Sequence, residues 1–147
     1  MNYLLTGIVF LAGACIPVQF AANKRLEDSL HSSALAVAIA FAIGAIVTLA
    51  LAMTGLFGKG TLSGAAGAPW WAWIGGAISV AVVLASVIAL PKAGAEAVIA
   101  ATVVGQLVSG AVLDHFGWLG VPKIPFNLWR ALGTALLIGG ALIMQKK

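Results

Sequence analysis

Charged residues are scarce in this sequence. Of its 147 residues, eight are Lys or Arg and four are Asp or Glu, while 62% are hydrophobic. A soluble domain carries about a quarter charged residues, and it cannot hide this much apolar surface from water. The scarcity therefore excludes a soluble globule and predicts an integral membrane protein, with residues 1–147 forming a single membrane domain.

Long basic runs and cysteine pairs are also missing. The eight basic residues stand singly or in pairs, which argues against nucleic-acid binding and makes the net charge of +4 a topology signal. The single cysteine, Cys15, cannot form an internal disulfide and is interpreted as a small packing residue. Because no Lys or Arg precedes Lys24, the first apolar run lacks the basic start of a signal peptide and is interpreted as a retained span.

Long apolar runs are what the sequence has in abundance. A helix needs about 20 apolar residues to cross the hydrocarbon core, and five segments reach roughly that length. Helices satisfy their own backbone hydrogen bonds in lipid, so the fold class is an all-α membrane protein of five transmembrane helices. The predicted spans are residues 3–22, 33–56, 70–90, 95–113 and 128–144.

The end of span one carries a proline and two amides. Pro17 cannot donate a backbone hydrogen bond, so a kink is expected near Gly13. Gln19 and Asn23 are four residues apart and therefore share a helix face. These amides either hydrogen-bond to a neighbouring helix or lie at the water boundary. The alternative is that they form the polar wall of a substrate cavity. The charged residues that follow, up to residue 28, are predicted to form a solvated loop.

Span two and the segment after it are rich in small residues. Small side chains recur every fourth position of span two, forming a smooth ridge for close helix packing: Ala36, Ala40, Gly44 and Thr48. The glycine-rich segment 55–69 lacks the GxxxxGK[ST] order of a phosphate-binding loop, so nucleotide binding is rejected.

Span three opens with three tryptophans and ends in a break. Trp70, Trp71 and Trp73 are typical of a membrane-interface belt, although one such ring, Trp73, can also wall a cavity and stack on a ligand. The sequence PKAG at residues 91–94 predicts a four-residue break with a tight antiparallel turn into span four.

Span four contains a polar stripe. Thr102, Gln106 and Ser109 fall within about 60° of one another on a helix of 100° per residue. An amide in lipid is costly unless it is paired, so Gln106 is expected to face protein or a water-filled cavity. Structural hydrogen bonding between helices and contact with a substrate both remain open for it.

The acids of span four lie at its two ends. Glu96 falls in the first turn, where the helix dipole stabilises a carboxylate, and it is either a capping residue or a coupling group. Asp114 and His115 end the span and are interpreted as a surface pair, with a pH-linked role as the alternative. Arg130, early in span five, is expected to extend to the interface.

An enzyme is disfavoured because no catalytic cluster lies at one depth. Glu96 and Asp114 are 18 positions apart, about 27 Å along a helix, and cannot act on one bond. The sequence offers no His, Cys and acid constellation, so neither a metal site nor a cofactor is predicted.

The distribution of basic residues gives a weak topology signal. With five spans the termini lie on opposite sides, with five basic residues on the side of the C-terminus and three on the other. This bias favours a cytoplasmic C-terminus, yet it is small enough to leave room for both orientations. The five are Lys24, Arg25, Lys92, Lys146 and Lys147, and the three are Lys59, Lys123 and Arg130.

Four stretches together resemble the YdcZ-like family of the drug/metabolite transporter superfamily. They are IPVQFAANKRL in span one, PWWAWIGGAIS in span three, LPKAGAEAVIAATVVGQLVSGAVLDHFG around span four, and RALGTALLIGGALI in span five. The resemblance covers essentially the whole length. It implies a five-helix unit similar to half of a ten-helix transporter, located in the bacterial cytoplasmic (inner) membrane.

The resemblance also implies a dimer. Ten-helix members pair two inverted halves around a midplane site, so a half-sized chain is expected to form a homodimer, with an antiparallel arrangement favoured. The four-helix multidrug exporters of the superfamily carry an acid in the middle of span one. This chain has none there, so their proton-coupled cation exchange is not carried over.

Two functional hypotheses follow for this membrane protein. In the first, it transports a small organic molecule by alternating access, its partners being that substrate, the lipid bilayer and a second copy, with no nucleic acid. The residues expected to contact substrate are Gln106, Gln19, Asn23, Trp73, Thr102 and Ser109, with Glu96 as the coupling group. In the second, it is a non-transporting structural or assembly subunit of a larger membrane complex.

Overall fold

The computed structural model describes residues 3–144 of the chain. Lys146 and Lys147, which enter the charge balance above, lie outside these residues. Three short 3₁₀ segments lie in the connections, at Leu62–Gly67, Trp70–Trp73 and Trp118–Gly120. The α-helices are α1 (Tyr3–Ala14), α2 (Ile16–Leu30), α3 (Ser33–Thr54), α4 (Ile74–Ala93), α5 (Ala95–Phe116) and α6 (Leu128–Met144).

The helices confirm the predicted all-α membrane class. Four helical stretches are long and apolar enough to cross a bilayer: Tyr3–Leu30, Ser33–Thr54, Trp70–Ala93 and Ala95–Phe116. The apolar helix Leu128–Met144 has 17 residues and so spans about 26 Å, slightly less than a typical hydrocarbon core. All regular structure within residues 3–144 is helical.

The first span is interrupted where the proline predicted a kink. α1 ends at Ala14, and the N–H of Cys15 donates to the carbonyl of Ala12 at 3.1 Å, one residue closer than in an α-helix. Pro17 has no N–H with which to bond Gly13, so the α-helical pattern is broken here. α2 begins at Ile16 and continues the chain beyond the break.

The prediction of a solvated loop after span one is wrong, because α2 continues to Leu30. Lys24 Nζ lies 3.0 Å from a carboxylate oxygen of Glu27 and 2.7 Å from one of Asp28. These spacings of three and four residues are those at which opposite charges stabilise a helix, so the polar residues extend α2. His31 ends it with a φ of 54° and donates its N–H to the carbonyl of Glu27.

The predicted four-residue break at residues 91–94 is also wrong in extent. α4 passes through Pro91 and ends at Ala93, leaving Gly94 alone between two helices. The proline removes one backbone donor in the last turn of α4, where few further bonds are affected. Gly94 has φ 82° and ψ 159°, a conformation that a side chain would strain. The antiparallel turn expected there stays a prediction.

The chain divides into two compact units, Val18–Leu90 and the remainder. In the first unit, Val37 of α3 packs with Val83 and Val87 of α4, and Phe41 and Leu84 adjoin this small core. In the second unit, α5 contacts α6 and also the 3₁₀ segment Trp118–Gly120 in the connection between them.

Most apolar side chains point away from these small cores. Leu4, Ile46 and Leu136 are exposed by 72%, 69% and 76%, and each of the long apolar helices carries further exposed apolar side chains. Such a surface would be strongly unfavourable in water, whereas hydrocarbon accepts it without cost. The exposed helix faces therefore fit a lipid environment or contact with another membrane helix.

Gly117 ends α5 in a way that a side chain should disrupt. It has a φ of 67°, its N–H donates to the carbonyl of Leu113 at 2.8 Å, and an added Cβ would lie 3.2 Å from Cβ of Lys123. We expect Gly117→Ala to reduce the free energy of unfolding by about 1–2 kcal/mol. Thermal unfolding of the detergent-solubilised protein measures the change.

A matched control for this substitution is Gly7→Ala. Gly7 lies inside α1, and apart from the neighbouring backbone of its own helix nothing lies within 4 Å of the added Cβ, so the alanine should leave the melting temperature unchanged or raise it. Equal melting temperatures for the two variants would contradict the role assigned to the left-handed conformation of Gly117.

Candidate functional site

The polar stripe lies on one uninterrupted helix, α5. Thr102 donates its hydroxyl to the carbonyl of Val98 at 2.8 Å, and Ser109 donates to the carbonyl of Gly105 at 2.8 Å. Both hydroxyl protons are therefore satisfied within the helix, while their oxygens can still accept. The predicted stripe thus consists of two acceptor oxygens on either side of Gln106.

Gln106 is the unsatisfied member of the stripe. Its side chain is exposed, and none of the described residues forms a hydrogen bond with its amide. It lies near the middle of α5, about 15 Å from each end of the helix. An amide exposed to hydrocarbon at this depth is costly, so it requires a partner from outside the described contacts.

Glu96 lies where the sequence predicts it, in the first turn of α5. Gly94 precedes the helix without a side-chain cap, so the backbone N–H groups of this turn have no side-chain acceptor at the cap position. The Glu96 carboxylate is exposed and forms no ion pair or hydrogen bond within residues 3–144. It is therefore an accessible charge at the end of the helix that carries the stripe.

The two amides of span one have different surroundings on α2. Gln19 is exposed, whereas Asn23 is only 6% exposed and lies one turn after the buried Phe20. The Nδ2 of Asn23 has no hydrogen-bond partner. A buried donor without an acceptor is unfavourable by about 1–3 kcal/mol, so this amide, like Gln106, calls for an additional polar partner.

A carboxylate one turn further along α2 is better satisfied. Glu27 accepts a hydrogen bond from the Ser33 hydroxyl, at the start of α3, with an O···O distance of 2.5 Å. Its other oxygen, Oε2, lies 3.0 Å from Lys24 Nζ and forms an ion pair with it.

Trp73 lies in the 3₁₀ segment just before α4 and is 64% exposed. Its neighbour Trp71 is half-buried. The described structure thus places Thr102, Gln106, Ser109 and Glu96 on α5, and Gln19, Asn23 and Trp73 in the unit Val18–Leu90. The roles of all seven in substrate binding or coupling stay predictions.

Sequence reasoning missed a polar cluster at the connected ends of α5 and α6. Arg130 Nη2 lies 2.8 Å from Asp114 Oδ2, and both side chains are about one third exposed. The N–H of Ile124 donates to the Asp114 carbonyl at 2.8 Å, and Phe126 donates its N–H to Nδ1 of His115 at 3.1 Å. Asn127 caps α6 by accepting from the N–H of Arg130.

This cluster corrects one interpretation made from the sequence. Asp114 and His115 bind separate partners, Arg130 and the N–H of Phe126, rather than forming a pair. The expectation that Arg130 extends to the interface stays a prediction. The available signal was an acid at the end of one helix and an arginine at the start of the next. The 16 positions between them correspond to no helical spacing, so only the folded connection reveals the contact.

Among the described residues, no group of three His, Cys, Asp or Glu side chains comes together in a way that could hold a metal ion.

The fold and these polar positions define a small helical integral membrane protein with an amide deep inside its apolar span. Residues 4–143 match a sequence family described as "Putative inner membrane exporter, YdcZ". The chain therefore belongs to the YdcZ family of the drug/metabolite transporter superfamily. That description and the apolar helices confirm the predicted location in the inner membrane and support a membrane transporter.

A curated relative points in the same direction. The chain is 28% identical over 155 residues to "Inner membrane protein YdcZ" of Escherichia coli (strain K12). The alignment covers 100% of this chain and 99% of that relative. No solved structure matches the chain.

The ion pair between Asp114 and Arg130 provides a test of the polar cluster. A double-mutant cycle of Asp114→Asn and Arg130→Gln should give a coupling energy of about 0.5–1 kcal/mol, because each side chain is only partly exposed. Chemical unfolding in detergent measures it, and 1 M salt should reduce it. Strictly additive single effects would contradict a direct contact.

Proposed function

We propose that this protein transports a small organic molecule across the inner membrane, and that it works as a dimer by alternating access. The description of its family as an exporter favours movement out of the cytoplasm. The observation that carries the proposal is the exposed, unpaired amide of Gln106 near the middle of α5.

The position of Gln106 suits a substrate site better than a purely structural one. Substrate sites of secondary transporters lie near the bilayer midplane, where an unpaired polar group otherwise has no benefit. A glutamine amide can both donate and accept, and Thr102 and Ser109 offer acceptor oxygens on the same face. This set suits a polar but uncharged part of a substrate.

The remaining predicted contacts supplement that stripe. Asn23 offers a buried donor that lacks a partner, Gln19 an exposed amide and Trp73 an exposed ring. Glu96 is proposed as the coupling group, because its carboxylate is accessible and unpaired within the described residues. A group that must gain and lose a proton or release an ion needs such access.

A dimer is proposed because residues 3–144 supply five apolar helical stretches, which corresponds to half of a ten-helix transporter. Pairing two inverted five-helix units builds the midplane site of the larger transporters of this superfamily, and an antiparallel homodimer of this chain would do the same. The weak charge bias permits both orientations in one membrane, and the exposed faces of the apolar helices leave ample surface for pairing.

The site assignment predicts a transport defect from a single substitution. Uptake into proteoliposomes is first screened with a panel of radiolabelled small organic solutes, and the variants are then compared on a transported solute. Gln106→Ala should lower the flux at least tenfold, since it removes the only amide at midplane depth on α5. Glu96→Gln should abolish the response of the flux to an imposed pH gradient.

The control is Leu107→Ala, a truncation at the same depth beside the stripe, which should leave the flux nearly unchanged. Flux that survives both Gln106→Ala and Glu96→Gln would refute this site, even if transport itself is observed.

A second candidate function is a non-transporting structural or assembly subunit. It is favoured by the ridge on α3, where Gly44 and Thr48 are exposed and leave room for another helix to approach. Purification distinguishes the two candidates. A stable homodimer that binds a small molecule supports the transporter, whereas an obligate complex with a larger membrane protein supports the subunit.

Dual topology predicts that both termini are accessible from outside in part of the population. A single cysteine is added at one terminus or the other in a Cys15→Ser background, and intact cells are treated with a membrane-impermeant maleimide. Partial labelling at each terminus is expected for an antiparallel dimer. Labelling at one terminus alone would indicate a fixed orientation and exclude the antiparallel arrangement.

A further inference from the structure

Three exposed polar groups on or beside α5 have no partner within the described residues: the Glu96 carboxylate, the Gln106 amide and the Lys123 ammonium. Glu96 lies in the first turn of α5 and Gln106 near its middle. Lys123 belongs to the connection after α5, and its Cβ lies 3.2 Å from the position that a Cβ on Gly117 would take. Lys123 therefore lies at the end of α5, on the side of the helix where Gly117 lies.

These groups are arranged almost symmetrically about Gln106. Glu96 lies ten positions before Gln106 and Gly117 eleven positions after it, which corresponds to about 15 Å and about 17 Å along the helix. At about 100° per residue, Glu96 and Gly117 are turned from Gln106 in the same sense, by about 80° and about 20°. A negative and a positive charge thus lie at nearly equal distances on either side of a central amide.

A second α5 that runs antiparallel, related by a twofold axis at the level of Gln106, satisfies all three groups. The axis brings the two Gln106 amides to the same depth, where each amide can donate to the other. It also brings Glu96 of each copy to the depth of Lys123 of the other copy, on the same side of the interface. Because both charged side chains are long, they can meet even where the two helix axes diverge.

The charges select the antiparallel arrangement over the parallel one. In a parallel pair of α5 helices, Glu96 would face Glu96 and Lys123 would face Lys123, and these like charges would repel each other. Asp114 lies near the same end of α5 as Lys123, but Arg130 already neutralises it at a distance of 2.8 Å. The unpaired charges are therefore complementary only between antiparallel copies.

The side of α5 around Gln106 also permits a close approach of another helix. Thr102, Ser109 and Gly110 all lie within about 60° of Gln106 and carry small side chains, which are typical of helix contacts in lipid. Apart from the helix's own backbone, nothing lies within 4 Å of a Cβ added to Gly110. The small residues allow any helix to approach, and the charges at the two ends specify a second copy of α5.

We propose that two copies of this chain pair antiparallel through α5, with both Gln106 amides at the twofold axis and Glu96 of each copy bound to Lys123 of the other. This inference rests on the homodimer of the proposed function and names the helix and residues that form it. Each amide has two donor hydrogens and two acceptor lone pairs, so mutual hydrogen bonds leave groups free for a substrate. The second copy thereby contributes its own Gln106 to the midplane site, and coupling through Glu96 requires its ion pair to open.

Cysteine cross-linking in native membranes tests this interface without any substrate. Two differently tagged copies of the full chain, both with Cys15→Ser, are co-expressed, one carrying Val103→Cys and the other Gly110→Cys. In the antiparallel pair these positions differ by about 1.5 Å in depth and lie on the same side, so oxidation should join the two tags. In a parallel pair they are about 10 Å apart along the axis, and each variant would join only copies of itself.

The matched control combines Ala101→Cys in one copy with Val112→Cys in the other. These exposed positions also differ by about 1.5 Å in depth in an antiparallel pair, but both lie at least about 120° around the helix from Gln106. The proposed interface leaves them apart, so the two tags should not become joined.

Charge reversal provides a second measurement. Förster transfer between fluorescently labelled copies in phosphatidylcholine vesicles, followed as the protein is diluted in lipid, gives the dissociation constant of the dimer. Lys123→Glu should raise this constant about two- to thirtyfold, because two exposed ion pairs are lost, and adding Glu96→Lys should restore most of the affinity. Gln106→Leu should raise it about three- to thirtyfold. Lys59→Glu, which reverses an exposed charge in the unit Val18–Leu90, should leave it unchanged.

Several outcomes would overturn the proposal. Copies joined only to the same variant would indicate a parallel pair, and joining through the control positions would place the interface on another side of α5. If the cysteine variants fail to fold, charge reversal decides alone, because equal dissociation constants for the unmodified chain and Lys123→Glu would refute the ion pairs. Flux from a dimer without these contacts would refute only this interface, whereas a dimer joined through α5 that moves no solute would refute only transport.

Discussion

The structure depends on one constraint, that polar groups placed in an apolar environment must find partners nearby. The backbone meets it by forming helices along its long apolar segments, and the hydroxyls of Thr48, Ser86 and Thr102 meet it by donating to their own helix. The Gln106 and Asn23 amides gain no such partner within the described chain. Their lack of a partner is what makes these two amides informative about function.

The same constraint explains where the few charged groups lie. Lys24 is matched by two acids one turn away, which extends α2 beyond its apolar part. The ion pair between Asp114 and Arg130 joins the end of α5 to the start of α6, and both side chains are only partly exposed. The Glu96 carboxylate alone among the four acids has no partner in the described structure, which is why it is the candidate coupling group.

The cores of the two units are small. Each unit buries only a few side chains, such as Val37, Val83 and Val87 in the unit Val18–Leu90. In lipid this is tolerable, because apolar side chains lose nothing by facing hydrocarbon, and helix association there relies on close packing and hydrogen bonds. The small residues exposed on α3 leave room for another membrane helix to pack closely.

The sequence by itself determined the membrane class, the approximate helices, the interruption near Pro17 and the polar stripe on one helix face. These features follow from local rules of hydrophobic length, the missing N–H of proline and helical period. Only the tertiary structure decided the Asp114–Arg130 contact and the hydrogen bond from the Phe126 N–H to Nδ1 of His115. They depend on how residues 117–127 turn, including the left-handed Leu119, and no local period encodes that path.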